Sequence, residues 1–433
     1  MSVLPPPAAL VVASGRPTLA VAQGQGSDLP GATGAARRSQ LPGREGLAVV
    51  HADLHNHTLL SDGAGRPEDA YASMQRAGLD VAALTDHVSL PRTSPLPAGL
   101  PPDAVSRYRT APPSMDAAGW SRTAALADAA DEPGSFTAVR GFEWTEPWLG
   151  HVNVWFSEQM TGVALPGGTR VLHDWLHAQV EATARRAAPS GGPGPLFGFN
   201  HPGREPGRLD GFALDPRLVP RMVTLELFNR GEDYLFEGVA DGLPSPLLAV
   251  HDAGWQPGLV GVTDEHGTGW GTVEGRGRAG LWVREHSRSG VAEALLARRT
   301  YATRLSGLRL DATLDGVGMG GTLPPDGTGG RLRLDVDRGP AWHGRPLEVQ
   351  VLVPGAGELL PEVRAVLPLT CGTPLDAELD LRAPAAPGRP GWVVVRVVDP
   401  AQDDDREARA HAAGWTPRGR AVAYASPWRT APA

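Results

Sequence analysis

Between residues 48 and 266 the chain repeats one arrangement, a short apolar run that ends on a histidine or a carboxylate. "GLAVVHADLH" closes on His55, with His57 two positions on, and "VAALT" leads to Asp86 and His87. "AVRGF" leads to Glu143, "LFGFN" to His201, and "LVGVT" to Asp264 and His266. Apolar runs of this length, bounded by polar residues, read as buried strands. "PEDAYASMQRAGL", with Pro67 in its first turn, and "VLHDWLHAQVEATARRAA" read as helices between them. "HVNVWF" and "MVTLELFN" add strands, and the helical "GVAEALLARRTYA" closes the region. Strand and helix units repeated in this way predict a parallel, barrel-like α/β domain, whose strands deliver their C-terminal ends to one face.

With 433 residues the chain has room for two or three domains. Residues 1–47, rich in Gly, Ala and Pro, read as a flexible extension, and 48–304 as the α/β domain. In 305–433 the pattern changes to strand-like runs such as "LRLDATLDG", "RLRLDVDR", "LEVQVLVPG" and "GWVVVRVVD" between Gly/Pro turns, which predicts an all-β, sandwich-like domain.

A net charge of -8 and the lack of a Lys/Arg block argue against a nucleic-acid partner. Cys371 is the single cysteine, so a metal would be held by histidine and carboxylate, and the composition fits a reducing cytoplasm. No run of 18 apolar residues predicts a membrane span. The start of the chain lacks the basic region of a secretory signal, and the oligomeric state is left open.

Residues two apart on a strand share a face, so His55 and His57 can reach one metal, with Asp62 on the following loop. The motifs "DLHNHTLLSDG", "LTDH", "GFE", "NHP" and "TDEH", in that order, resemble the polymerase and histidinol phosphatase (PHP) superfamily of metallohydrolases. "GFEWTEPWLGHVNVW", "LARRTYATR", "GVGMGG" and "AYASPW" are similar to its carbaryl esterase-type (CehA/McbA) branch. The resemblance implies a distorted seven-stranded, TIM-like barrel holding two or three divalent ions, Zn, Mn or Fe. It implies a first ion on His55, His57, Glu143 and Asp264, a second on Glu143, His151 and His201, and a third on Asp62, His87 and His266. Some members of the superfamily have a histidine where this chain has Gly63. Apart from the family, eight of these nine residues fall at or just past an expected strand end, and His151 opens the next strand.

Such ions lower the pKa of a bridging water to about 7 and polarise the electrophile, which predicts hydrolysis by direct water attack. No G-x-S-x-G elbow, no Walker-type loop and no dinucleotide fingerprint following a strand offers another chemistry. The catalytic roles fall to Glu143, Asp264 and His87, with Asp86 either the acid for the leaving group or a carboxylate orienting an imidazole. Glu265 is a second acid candidate, expected to face away. A small phosphoester is the favoured substrate, with Arg204 and Arg304 as anion partners. A carboxylic or carbamic ester is the alternative, with Trp144 and Trp148 either lining an apolar pocket or packing beneath it. A non-catalytic metal- or ligand-binding protein is the reading from another class. Glu226 and Asn229 either orient substrate or ligands, or cap a loop. His51 reads as a core or rim residue, His173 and His177 as one face of a surface helix, and His251, His286, His343 and His411 as structural or exposed. "QDDDREAR", at 402–409, lacks the ligand spacing of a calcium loop.

Overall fold

The fold is that of a computed structural model describing residues 37–165, 167–185, 193–324, 329–381, 389–402 and 419–430. His411 and most of the 402–409 acidic run lie outside them. The strands are β1 (Ala48–Asp53), β2 (Val81–Leu84), β3 (His87–Ser89), β4 (Thr137–Glu146), β5 (Gly150–Trp155), β6 (Leu196–Phe199) and β7 (Met222–Asn229). They continue with β8 (Glu232–Asp233), β9 (Gly258–Val262), β10 (Arg278–Val283) and β11 (Thr300–Thr303). β1, β2 and β4 are paired in parallel, as are β6, β7 and β9, and both faces of these strands are buried. That accounts for their nearly continuous apolar sequences.

Two departures from the expected parallel barrel follow from the pairing. β5 runs antiparallel to both β4 and β6, because residues 147–149 turn the chain straight back where a crossover helix would be needed for a parallel partner. Nor do the strands close into a seven-stranded barrel. β1 pairs with β2 and with antiparallel β10, and no ladder joins it to β9. Their ends are linked by one isolated bridge, Asn56 to Glu265, and by Asp53, which accepts from the backbone N–H and hydroxyl of Thr263.

The helices form where the sequence signals are strong. α1 (Pro67–Arg76) begins on proline, carries Glu68 and Asp69 in its first turn and Arg76 in its last, matching the helix dipole. α2 (Pro102–Thr110) and α3 (Ala117–Ala130) arise from a Pro- and Ala-rich stretch with a weak apolar pattern, and Asp116 caps α3 by accepting from the Gly119 N–H. α4 (Gly168–Arg185) buries Thr169, Leu172, His173 and Leu176, a stripe at helical spacing. His173 therefore packs near Phe197 and Trp255 in the interior, contrary to the surface placement expected for it. In "LLARRTYA" the helix stops at Leu296, and Tyr301 and Ala302 belong to β11.

The remaining strands are β12 (Arg309–Leu314), β13 (Val317–Gly318), β14 (Thr322–Leu323), β15 (Gly329–Asp337), β16 (Pro346–Val353) and β17 (Glu362–Thr370). They end with β18 (Leu375–Asp380), β19 (Trp392–Asp399), β20 (Arg420–Ala425) and β21 (Trp428–Thr430). A four-stranded sheet, β13-β12-β15-β18, faces β16, β19 and β20 across a core of Leu310, Leu332, Leu334, Val349, Val395 and Val397. The second of these layers is continuous with the α/β half, because β20 pairs with β11. Residues 37–47, expected within the flexible extension, pack instead: Leu41 and Leu47 are buried, Arg37 pairs with Asp80, and Arg44 with Asp311. Among the described residues no helix is long and apolar enough to cross a membrane.

Candidate metal centre

β1 ends at Asp53, and the next residues carry His55 and His57 into the interior, both fully buried. Trp155 and Trp270 fix this segment, their indole N–H groups donating to the carbonyls of Leu54 (3.0 Å) and His57 (3.1 Å). Glu143 projects from the middle of β4, opposite His87 in the register with β3. His151 opens β5, His201 follows β6, and Asp264 and His266 follow β9. His201 and Asp264 have φ of 27° and 48°, in the left-handed region that non-glycine residues rarely occupy. Strain of this kind persists where surrounding contacts hold it.

The nine expected donor residues lie in one cluster. His55 Nε2 is 3.1 Å from His57 Nε2, 3.2 Å from Glu143 Oε1 and 3.5 Å from Asp264 Oδ1. His57 Nε2 lies 3.2 Å from Asp264 Oδ1 and 3.6 Å from Glu143 Oε2. A tetrahedral ion with bonds of ~2.0–2.1 Å would separate its donors by roughly 3.3–3.4 Å, so this spacing fits a divalent cation. Two imidazole nitrogens facing each other among carboxylates are difficult to satisfy by hydrogen bonds alone. His57 Nδ1, His201 Nδ1 and Glu143 Oε2 have no hydrogen-bond partner among the described residues, although His87 Nδ1 lies 2.5 Å from that oxygen.

Glu143 lies between the donor groups. Its Oε1 is 3.1 Å from His151 Nδ1 and 3.5 Å from His201 Nε2, and it accepts from Asn200 Nδ2 at 2.6 Å. Burial would raise its pKa, but His151, His87 and His55 hold it well below the usual carboxylate range. Asp264 is likewise opposed by burial and held low by His55 and His57. Asp62 lies 3.5 Å from His87 Nε2 and 3.4 Å from His266 Nε2. Asp62 is exposed and His266 half-buried, so this end of the cluster faces solvent.

Several contributors lie outside the nine. Glu226 Oε1 accepts from His55 Nδ1 at 2.8 Å, while its Oε2 accepts from the His201 N–H and from Asn229 Nδ2, each at 2.8 Å. That bond fixes the tautomer of His55 and leaves the Nε2 lone pair facing the other donors. Glu226 thus orients His55 and His201, and Asn229 holds Glu226 from behind. Glu205 lies 3.3 Å from His201 Nδ1 and forms a further donor group with His151 and His201. Its position four residues after His201 in "NHPGRE" was the available signal. Arg204 donates to Glu205 at 2.7 Å and reaches within 3.1 Å of His201 Nε2. Arg230, which the sequence reading passed over, lies 3.0 Å from Asp264 Oδ2 and 2.7 Å from His266 Nδ1.

The contacts bear on three roles left open by the sequence. Asp86 accepts from the Thr58 N–H and the Ser61 hydroxyl at 2.7 Å each, and from the Thr58 hydroxyl at 2.9 Å. These bonds occupy both of its oxygens and shape the loop before Asp62. Trp144, adjacent to Glu143 on β4, points to the opposite face and is buried with Phe142 in the core. Trp148 is half-buried; its backbone N–H donates to Glu146 and its carbonyl accepts from Gly207, with no contact to the donors. Glu265 faces away, engaging the Gly267 N–H and Arg276. Arg304 lies over the Phe228 ring. His251 and His286 make buried bonds to the carbonyls of Leu247 and Asp80, and exposed His343 bonds to Asp337.

No family model and no curated protein matches the chain. Among solved structures it is similar to a Bacteroides vulgatus two-domain protein containing a predicted PHP-like metal-dependent phosphoesterase. That match is 17% identical, covers 84% of this chain and 96% of the other, and has a TM-score of 0.43. An amidohydrolase from Chromobacterium violaceum with bound sulfate and no metal is 16% identical over 50% of this chain and 87% of its own, with a TM-score of 0.25. Histidinol phosphate phosphatase from Lactococcus lactis, complexed with zinc, L-histidinol and phosphate, is 14% identical over 50% and 86%, with a TM-score of 0.22. These are likenesses at low TM-scores and no more.

Proposed function

We propose that this chain is a metal-dependent hydrolase of a small phosphoester, of the PHP type. The observation that carries the reading is Glu143, a fully buried carboxylate whose two oxygens face different histidines within one donor cluster. His55, His57, Glu143 and Asp264 would hold one ion, Glu143, His151 and His201 a second, and Asp62, His87 and His266 a third. Bound divalent ions supply a Lewis acid and an acidified water for ester hydrolysis. The chain's own part is to aim these donors, exclude water from the buried groups, and leave the Asp62 and His266 side open for substrate. Arg204 and Arg230, each within hydrogen-bond reach of a donor residue, give an anionic ester two guanidinium partners at the rim. The carbamic and carboxylic ester alternative loses one of its supports, since Trp144 belongs to the core.

Protein purified without chelator should carry at least two equivalents of divalent metal per chain and hydrolyse p-nitrophenyl phosphate faster than p-nitrophenyl acetate. Chelation should abolish the activity, and re-addition of metal should restore it. Bound metal with neither activity would leave a non-catalytic binding protein; faster acetate turnover would reassign the ester.

A further inference from the structure

A second polar site lies apart from the donor cluster, where the packed 37–47 segment meets β1, the end of α1 and the loop after β11, with a buried floor at Arg37, His51, Asp80 and Arg278 and an exposed mouth at Gln75 and Ser306. It is a cavity of about 200 Å³ whose walls include Arg37, His51, Gln75, Asp80, Arg278 and Ser306. At ~30 Å³ per water, this is room for roughly six waters, enough for a small ion and too little for a nucleotide. None of these residues belongs to the proposed metal ligands. His51 precedes His55 by four residues, about 13 Å along an extended chain.

The wall carries more positive than negative charge. Arg37 and Arg278 contribute two nearly buried guanidiniums, and Asp80 the one carboxylate. Asp80 is already engaged, by Arg37 and by the His51 backbone N–H at 2.7 Å. Arg278 donates to the carbonyls of Gly271 (2.8 Å) and Gly277 (2.6 Å) and stands 3.8 Å from Asp53. Two nitrogens of the lining, Arg37 Nε and His51 Nδ1, are buried with no hydrogen-bond partner among the described residues. The Arg37 Nε–H is a fixed donor and the neutral His51 ring donates through one of its two nitrogens, and buried polar groups left unpaired cost free energy unless something fills the space between them.

We propose that this cavity binds a small tetrahedral oxyanion with the size and charge of inorganic phosphate. The two guanidiniums supply the charge, the unpartnered Arg37 Nε–H and the His51 ring face the ion as hydrogen-bonding groups on the floor, and Gln75 and Ser306 stand at the mouth. The site is independent of the hydrolase reading, because it needs neither metal nor substrate.

The test is equilibrium dialysis of the full chain, after chelation, against labelled inorganic phosphate, with sulfate and acetate as competitors. One phosphate per chain is expected, displaced by sulfate and not by acetate. Arg37→Gln should weaken uptake about tenfold or more, the scale of a lost charge-assisted bond. Its melting temperature in phosphate-free buffer separates lost binding from lost folding. In the wild-type chain, the His51 imidazole resonances should shift on phosphate addition. Absence of uptake by the chelated wild type, uptake unchanged in Arg37→Gln, or unmoved His51 resonances would each overturn the assignment. A cavity already filled by another part of the chain would give the first of these outcomes. Loss of the hydrolase activity alone would leave this result untouched.

Discussion

At Gly63 the chain has no room for the histidine that some PHP proteins carry. A Cβ there would stand 2.6 Å from the carbonyl carbon of His57 and from the amide nitrogen of Thr58, both backbone atoms that cannot swing aside. The loop doubles back on itself so tightly that the Gly63 N–H bonds to the Thr58 carbonyl at 2.9 Å. On the proposed reading, Asp62 is the donor on this side. Gly63→Ala is expected to displace Asp62 and lower occupancy of the proposed third ion while leaving the other two in place; metal analysis of the purified variant checks this. Glu226 is the complementary case, a residue that touches a donor from behind. Glu226→Gln should cost 10–100-fold in metal affinity, the usual penalty for losing a carboxylate behind a ligating histidine, measurable by competition with a chromogenic chelator.

Among elements, the strands that end in donors were readable because a buried parallel strand has one chemistry along its length and another at its tip. His55, Glu143, His201 and Asp264 announce themselves by interrupting apolar runs. Phase along a strand was the weaker guide. Trp144 was weighed for the pocket although it adjoins Glu143 and so must face the other way. Glu205 and Arg230 escaped notice because they sit on loops, where neither period nor strand end marks a residue. The short helix Pro246–Asp252 makes a prediction of its own. Burial pushes the His251 imidazole down to about 4. The unfolded chain accepts that proton near pH 6.5, before the folded one does, so stability is present above pH 6.5 and lost as pH falls towards 4. The contribution is about 3 kcal/mol at most. Urea unfolding of His251→Leu across this window should show a shallower decline than the wild type.

For the whole molecule, the change of style after residue 304 was legible in the sequence, but its continuity with the first half was not. β11 pairs with β20 more than a hundred residues away, Tyr301 opposite Ala425 and Thr303 opposite Ala423, and no local pattern encodes such a partner. A buried chain of contacts crosses the same region: Arg396 donates to the Tyr424 hydroxyl at 2.9 Å, which donates to Asp233 at 2.7 Å, three residues beyond Arg230. A chain ending at residue 304 would leave β11 with a bare edge and strip the cover from Trp282 and Tyr301. It is expected to aggregate, or to melt without a cooperative transition by circular dichroism. A sharp, reversible transition in that fragment would show that the first half stands alone.

The gap between β1 and β9 would give a bound cation a mechanical role. No strand ladder joins these two edges, which are held by one bridge and a few side-chain and loop bonds, and His55 and His57 leave one of them while Asp264 leaves the other. Coordination would therefore act as a clasp across this seam, tightening the architecture in proportion to metal supply. Scarcity of the ion would loosen the fold and silence the chemistry together.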